Sequence, residues 1–233
     1  MTEAGVALGH MLSFEQKLSR TGTVSCNTCN SCNTYNVVGA AGVDHLAVAV
    51  GDSGRVGTRT SPTVYNAAFL GSQFWDGRAA TLEEQAGRPI QAHVEMNLTP
   101  AEAIERLRET GYLPHFEAAF PDDEDPLTFE NLTRAIASFG RTLITPGSPF
   151  DRYLTGEHDA LTETKKEGLQ LFTDAGCAGC HDGSAETLHE AVSLMGSAQL
   201  GRTFTEEEVE QIVAFLDSLS DEFPLGPFPR LPL

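Results

Sequence analysis

Two thiols and an imidazole stand together at Cys177, Cys180 and His181. Two cysteines three positions apart, with histidine directly after the second, are typical of covalent haem attachment: the thiols add to the vinyl groups and the imidazole binds the iron. A zinc half-site would need two further soft ligands, and a redox dithiol is expected beside a βαβ unit, which the sequence does not show. The motif therefore predicts a bound haem c, with zinc and redox chemistry as the alternatives.

A second cluster, formed by Cys26, Cys29 and Cys32, repeats the same spacing twice in overlap. Here Asn30 and Asn33 stand where histidine would follow, and an amide oxygen is a weak ligand for haem iron compared with imidazole. The three thiols could instead hold three corners of an iron–sulfur cluster, although the usual spacings need a fourth cysteine. A zinc site would need a ligand from elsewhere in the chain. The residues alone leave these three possibilities open.

Helices must position these motifs, because apolar residues recur mainly at intervals of three and four. A capping box at Thr99 and Glu102, with Pro100 at the first helical position, predicts a helix that ends near Gly111. Three further helices are predicted after Thr128, from about Thr162 to Gly176, and after a capping box at Thr205 and Glu208. Their expected apolar stripes are Phe129, Leu132, Ile136, Phe139 and Leu143 in the second helix, and Val209, Ile212, Val213, Leu216 and Leu219 in the last.

Strand signals are poor, so the sequence predicts an all-α protein with long irregular loops. Residues 145–149 carry two prolines and a glycine between two predicted helices, which favours a domain boundary there. We therefore expect one domain over residues 1–145 and a second over residues 146–233.

The charge of the chain excludes several partners. It carries 15 Lys and Arg against 33 Asp and Glu, a formal net charge of −18. Nucleic acid and anionic membrane surfaces are recognised by clustered basic residues, so neither is expected as a partner. No stretch is long and apolar enough to span a bilayer, and residues 1–5 do not begin a secretory signal.

Nine short strings occur in the same order as in the bacterial di-haem cytochrome c peroxidase family, which includes the MauG-like proteins, and resemble that family closely. The most specific are SPTVYN at 61–66 and QFWDGRA at 73–79. The others lie at 82–86, 94–96, 143–146, 150–154, 177–181, 190–195 and 199–201. On these strings the chain is identified as a member of the family over nearly its whole length.

The resemblance implies two cytochrome c-like domains, each with one covalent haem c, and hydrogen peroxide as the substrate of the first haem. Cys26 and Cys29 would attach that haem, and Gln85 and Glu95 would form its distal pair, with Glu95 as a general acid–base. Trp75 would lie between the two haems and carry electrons from one to the other. Without the resemblance, Trp75 would be interpreted as a core aromatic and Glu95 as a solvated charge.

The second haem would be attached to Cys177 and Cys180, with His181 and Met195 as its iron ligands. It would receive electrons from a small cytochrome or copper protein. The family has a long stretch between this histidine and a later His-Asp-Gly segment, whereas here the two are fused at 181–184. The second domain is therefore expected to be internally shortened, and Met195 would otherwise be part of a helical apolar face.

The first attachment motif also departs from the family, because Asn30 replaces the proximal histidine, and His10 or His45 are the candidates to substitute for it. Thr60 stands where the family uses an asparagine at its calcium site, so calcium is not expected. We predict a peroxidase that is impaired or holds one haem. The alternative is a non-catalytic mono-haem electron carrier. Thioether attachment favours a periplasmic location, and a homodimer is possible for this family.

Overall fold

The computed structural model describes residues 1–29, 46, 48–175, 188–198, 201–219 and 230–232. These residues form ten α-helices and no β-sheet, and only the isolated bridges Val50–Val56 and Gln73–Ala79 pair extended segments among them. The helices are α1 (Glu3–Phe14), α2 (Cys26–Cys29), α3 (Leu82–Gln91), α4 (Pro100–Glu109), α5 (Leu113–Ala119), α6 (Phe129–Gly140), α7 (Pro149–Leu154), α8 (Glu163–Asp174), α9 (Leu188–Ala198) and α10 (Glu206–Asp217). The predicted all-α fold class is confirmed.

Threonine side chains cap the predicted helices at their first turns. In α4, the backbone N–H of Glu102 donates to Thr99 Oγ1 at 3.2 Å, and the Glu102 carboxylate accepts from the Thr99 N–H at 2.8 Å. This reciprocal pair satisfies two of the N–H groups that a helix start leaves without partners. The remaining caps are Thr128 on α6, Thr162 on α8 and Thr205 on α10.

The predicted apolar stripes are wrong in two details. Because α10 ends at Asp217, Leu219 lies beyond it and is 41% exposed, while Phe215 takes a buried position in the helix. Leu143 is buried as expected, but it lies beyond Gly140, the last residue of α6.

Helix α1 is not predicted by the sequence pattern, although it has a buried face. That face includes Gly5, Leu8, Gly9 and Leu12, which follow the spacing of a helical stripe. Glycine disfavours helix by about 1 kcal/mol relative to alanine. Two glycines on the buried face therefore conceal the helix from a search for apolar periodicity.

The chain divides into two compact units. The first contains Met1–Ile144 and the described residues 230–232, and the second contains the described part of Thr145–Phe223. Each unit has its own core of buried side chains. The first core includes Leu8, Leu12, Ile90, Leu107, Phe116 and Leu132, and the second consists of Val192, Phe204, Val209, Ile212 and Val213.

In the first unit, a glycine lets α1 lie directly against α6. A Cβ atom on Gly9 would lie 1.9 Å from the carbonyl oxygen of Ala135 and 2.9 Å from the Cβ of Phe139. Real Cβ atoms essentially never come within 3.0 Å of such neighbours, so this crossing requires a residue without a side chain.

The second unit repeats this arrangement between α8 and α10. A Cβ atom on Gly168 would lie 1.9 Å from the carbonyl oxygen of Gln211 and 3.0 Å from the Cβ of Phe215. In both units a glycine of one helix faces two positions of another helix that are four residues apart. The two units therefore share a helix contact that no repeat in the sequence reveals.

Candidate active site

The first unit encloses a cavity of about 430 Å³, a volume within the range of small-molecule and cofactor sites. Its walls come from the end of α1, the start of α2, residues 57–64, the loop at 73–78, one face of α3, the turn at 94–96 and the second half of α6. Most of the wall is apolar and includes Phe14, Val64, Leu82, Ile136 and Phe139.

Four of the residues that the sequence singled out line this cavity. They are Cys26, Trp75, Gln85 and Glu95, which come from α2, a loop, α3 and a turn. The fold thus brings together side chains that are up to 69 positions apart in the chain.

The other predicted site residues lie wholly or partly outside the described structure. Cys29 is described only as the last residue of α2, and Met195 only as part of α9. Cys177, Cys180 and His181 fall outside the described residues. Their roles stay predictions.

Glu95 is half-buried in the turn that follows α3. Its backbone N–H donates to the Ala92 carbonyl at 3.0 Å, and its own carbonyl accepts from the N–H of Asp52 at 2.7 Å. Burial raises the pKa of the Glu95 carboxyl, and the positive charge of Arg78 opposes this shift. A carboxyl with a raised pKa in a cavity is suited to general acid–base work, and it is not the solvated charge of the alternative interpretation.

Trp75 lies at the cavity wall and is 40% exposed, so it is not an ordinary core aromatic. Its indole Nε1–H donates to the carbonyl oxygen of Thr60 at 2.9 Å, which fixes the ring. The preceding residue, Phe74, has a φ of 66°, a left-handed conformation that is rare for an aromatic residue. The loop therefore holds Trp75 in one orientation at the wall.

A charged group not singled out by the sequence lines the cavity beside Trp75. The Asp76 carboxylate accepts from Arg78 at 2.8 Å and from Arg59 at 3.1 Å, and the Arg78 guanidinium lies 3.6 Å from the centre of the Phe74 ring. The hydrogen bond from Arg78 is the main cause that lowers the pKa of Asp76 to about 2. Arg78 stands inside the string at 73–79, which is the signal that could have marked it.

The cavity fits a covalently attached haem in three respects. Its walls are largely apolar, as the macrocycle requires, and the half-buried Cys26 offers a thiol at the wall. The Oδ1 atom of Asn27, the next residue, is buried and has no hydrogen-bond partner among the residues that the structure describes. Such an atom is expected to find its partner in a bound group.

The cavity lining contains no histidine among the residues described. His10 stacks on Phe139 with ring centres 4.6 Å apart, and burial lowers the pKa of its imidazole. His45 lies outside the described residues. Among the described residues, none that lines this wall can replace the proximal histidine.

Within the described ranges, no group of three or more His, Cys, Asp or Glu side chains is arranged to hold a metal ion. None of the helices described there has the length and apolar character needed to cross a bilayer.

The sequence matches the family described as di-haem cytochrome c peroxidase over residues 3–159. The cytochrome c551 peroxidase of Pseudomonas aeruginosa is 36% identical over an alignment of 286 positions, gaps included. The alignment covers 97% of this chain and 81% of that protein. The cytochrome c551 peroxidase of Nitrosomonas europaea is 33% identical over 284 residues, covering 97% of this chain and 82% of that protein. Both alignments exceed the 233 residues of this chain, so it lacks residues that these relatives carry within the matched region.

A solved structure has a similar fold. The crystal structure of a MauG-like protein associated with microbial copper homeostasis gives a TM-score of 0.82 at 22% identity. The match covers 95% of this chain and 91% of that one. The predicted all-α fold and the resemblance to the peroxidases are both confirmed by these comparisons.

Proposed function

Because the chain belongs to the di-haem cytochrome c peroxidase family, we propose that it reduces hydrogen peroxide to water in the cavity of the first unit. Each turnover consumes one peroxide, two electrons and two protons and releases two water molecules. The observation that carries the proposal is that Cys26, Gln85, Glu95 and Trp75 line one cavity. Haem c attached at Cys26 and Cys29 would supply the redox-active iron at which the O–O bond is cleaved.

Glu95 moves the proton in this proposal. Its carboxylate would accept a proton from one oxygen of hydrogen peroxide and return it to the other oxygen, which leaves as water. Burial raises the pKa of Glu95 toward neutral pH, so the same group can both accept and donate a proton more easily there. Gln85, whose side chain also lines the cavity, offers an amide that can hold the peroxide by hydrogen bonds.

Trp75 provides the route for electrons into the cavity. Its ring lines the cavity and is held by the hydrogen bond to the Thr60 carbonyl. We place electron entry at the second haem, held by Cys177, Cys180, His181 and Met195. The donor is a small cytochrome or copper protein, and the site of action is the periplasm, where thioethers to haem are formed.

A second function is favoured by one specific observation. Asn30 follows Cys29 where the attachment motif ends in histidine. If the first haem is absent, the chain is a mono-haem electron carrier that uses only Cys177, Cys180 and His181.

The amount of haem per chain separates the two functions. The protein is expressed with haem-maturation machinery and assayed by pyridine haemochrome against protein concentration. A value near two, with peroxide-dependent oxidation of a reduced small cytochrome, supports the peroxidase. A value near one without turnover supports the electron carrier.

Glu95→Gln tests the proton transfer in the same assay. The amide keeps the shape of the side chain but cannot exchange the proton, so we expect kcat to fall by about 10²–10⁴-fold. Glu105→Gln makes the same chemical change on the exposed side of α4, outside the cavity lining, and should keep wild-type turnover. Equal turnover in the two variants would show that Glu95 does not transfer the proton.

A further inference from the structure

Asp52 is a charged residue whose side chain is completely buried, in the loop between α2 and α3. Its carboxylate accepts hydrogen bonds from the backbone N–H of Thr21 at 3.2 Å, from the hydroxyl groups of Thr21 and Thr23, and from the Ser53 hydroxyl at 3.1 Å. Arg55 supplies a positive charge at 3.9 Å. A buried carboxylate is tolerated only with such partners, so this one ties its loop firmly to residues 21–23.

The same loop holds the turn that carries Glu95. The backbone N–H of Asp52 donates to the Glu95 carbonyl at 2.7 Å, and Arg55 donates to the carbonyl of His93 at 3.3 Å. Gly51 packs so closely that a Cβ atom on it would lie 2.6 Å from the Cα of Glu95. Backbone contacts of this kind leave the turn little room to shift.

Arg20, which directly precedes Thr21, also bonds to the end of this turn. The N–H of Arg20 donates to the carbonyl of Met96 at 2.8 Å, and its side-chain Nε donates to the carbonyl of Asn97 at 3.0 Å. Ser53 and Asn97 both adopt left-handed backbone conformations, with φ of 60° and 58°. Such conformations persist where the surroundings over-determine the backbone.

We propose that Asp52 is a positioning residue for Glu95. Its carboxylate holds the segment that leads directly into Cys26, and its backbone holds the turn of Glu95. Together these bonds fix the separation between the proton-transferring carboxyl and the thiol that attaches the haem. The inference rests on the proposed function for the role of Glu95. A misplacement of about 1 Å at a reacting group can cost about 100-fold in rate.

The test compares Asp52→Ala with Asp123→Asn in the full-length, haem-loaded protein. Asp123 also holds a loop through its carboxylate, which accepts from the Asn131 amide at 2.7 Å, but it lies outside the cavity lining. Thr21→Val is a milder second variant, because it removes one hydroxyl donor to Asp52 from an exposed residue. The measurements are kcat and KM for peroxide, and the pKa of Glu95 from difference infrared spectra in which Glu95→Gln identifies the band.

We expect Asp52→Ala to lower kcat by about tenfold to a hundredfold with little change in KM, and Thr21→Val to act in the same direction more weakly. The raised pKa of Glu95 should return toward its ordinary value in Asp52→Ala and stay raised in Asp123→Asn. An unchanged Glu95 pKa and unchanged kcat in Asp52→Ala would overturn the proposal, and Thr21→Val decides in the same way if Asp52→Ala does not fold. If the wild type lacks peroxide turnover, the proposed function fails, whereas the pKa comparison still decides whether Asp52 positions Glu95.

Discussion

Replacing Gly9 with alanine should destabilise the first unit, although the same change in an open helix is stabilising. In a helix interior alanine is favoured over glycine by about 0.8–1.0 kcal/mol. At Gly9 the new Cβ would lie 1.9 Å from the carbonyl oxygen of Ala135, which belongs to the backbone of α6 and cannot rotate away. The two helices must then move apart by about 1 Å, and a gap of that size forfeits a quarter to a half of the dispersion energy along their contact.

The expected size follows from these opposing effects. Overpacking of a well-packed contact costs about 1–3 kcal/mol, and a rigid backbone neighbour favours the upper end of that range. After the gain of about 1 kcal/mol in helix propensity, the free energy of unfolding should fall by about 2 kcal/mol. For a chain of this size, that corresponds to a decrease in Tm of roughly 4–8 °C.

Thermal unfolding followed by far-ultraviolet circular dichroism checks this prediction on the haem-loaded protein. Gly140→Ala is the control, since among the described residues its Cβ would meet only the Cδ1 of Leu82, at an ordinary distance of 3.9 Å. Because Gly140 lines the cavity, this control is compared in the protein both with and without haem. Gly168→Ala should reproduce the loss in the second unit, where the distance to a backbone oxygen is again 1.9 Å. If Gly9→Ala unfolds at or above the wild-type temperature, the close approach of α1 and α6 is refuted.

Three further predictions concern single contacts. Thr99→Ala removes the cap that accepts from the Glu102 N–H, and should lower the urea-derived free energy of unfolding by about 1 kcal/mol; no loss would mean that the capping box does not form. Tyr112→Phe removes the hydroxyl that donates to the buried Glu15 carboxylate at 2.8 Å, and should lower the urea-derived free energy of unfolding by about 1–3 kcal/mol. An unchanged free energy of unfolding would mean that water reaches Glu15. Glu95→Gln should raise Tm at pH 7. The raised pKa of Glu95 means that folding favours its protonated form, so the free energy of unfolding falls as pH rises through the folded pKa. The neutral glutamine avoids this loss. The difference in Tm should vanish below pH of about 4, where the carboxyl is protonated in both states; a constant difference would contradict the raised pKa.

Local signals in the sequence predicted the helix starts well. The predicted caps at Thr99, Thr128 and Thr205 are confirmed, because each depends on a side-chain oxygen and an N–H group three residues later. Thr162, predicted only as the approximate start of a helix, also caps α8. The spacing predicts the end of α10 less well, because it places Leu219 in the buried stripe, whereas Leu219 lies beyond the helix and is exposed. Apolar spacing alone continues past the residue at which the backbone leaves the helix.

The sequence likewise indicates some residues of the candidate site and leaves others without any signal. Trp75, Gln85 and Glu95 each stand inside a short string that resembles the family, and the fold brings all three to one cavity. Asp52 carries no such signal, since its bond to Glu95 joins two backbone atoms that any residue other than proline at position 52 could supply. A tertiary contact between backbone groups leaves no pattern in a sequence.

The glycine contact and the cavity are parts of one arrangement in the first unit. Gly9 lies one turn before Ser13 in α1, and Ala135 lies one turn before Phe139 in α6. Ser13 and Phe139 both line the cavity, so the distance at which the helices cross sets the position of two of its walls. A larger residue at position 9 would move those walls apart as well as weaken the core. Glycine in the middle of α1, although it disfavours helix, therefore sets both the closeness of α1 to α6 and the separation of these two cavity walls.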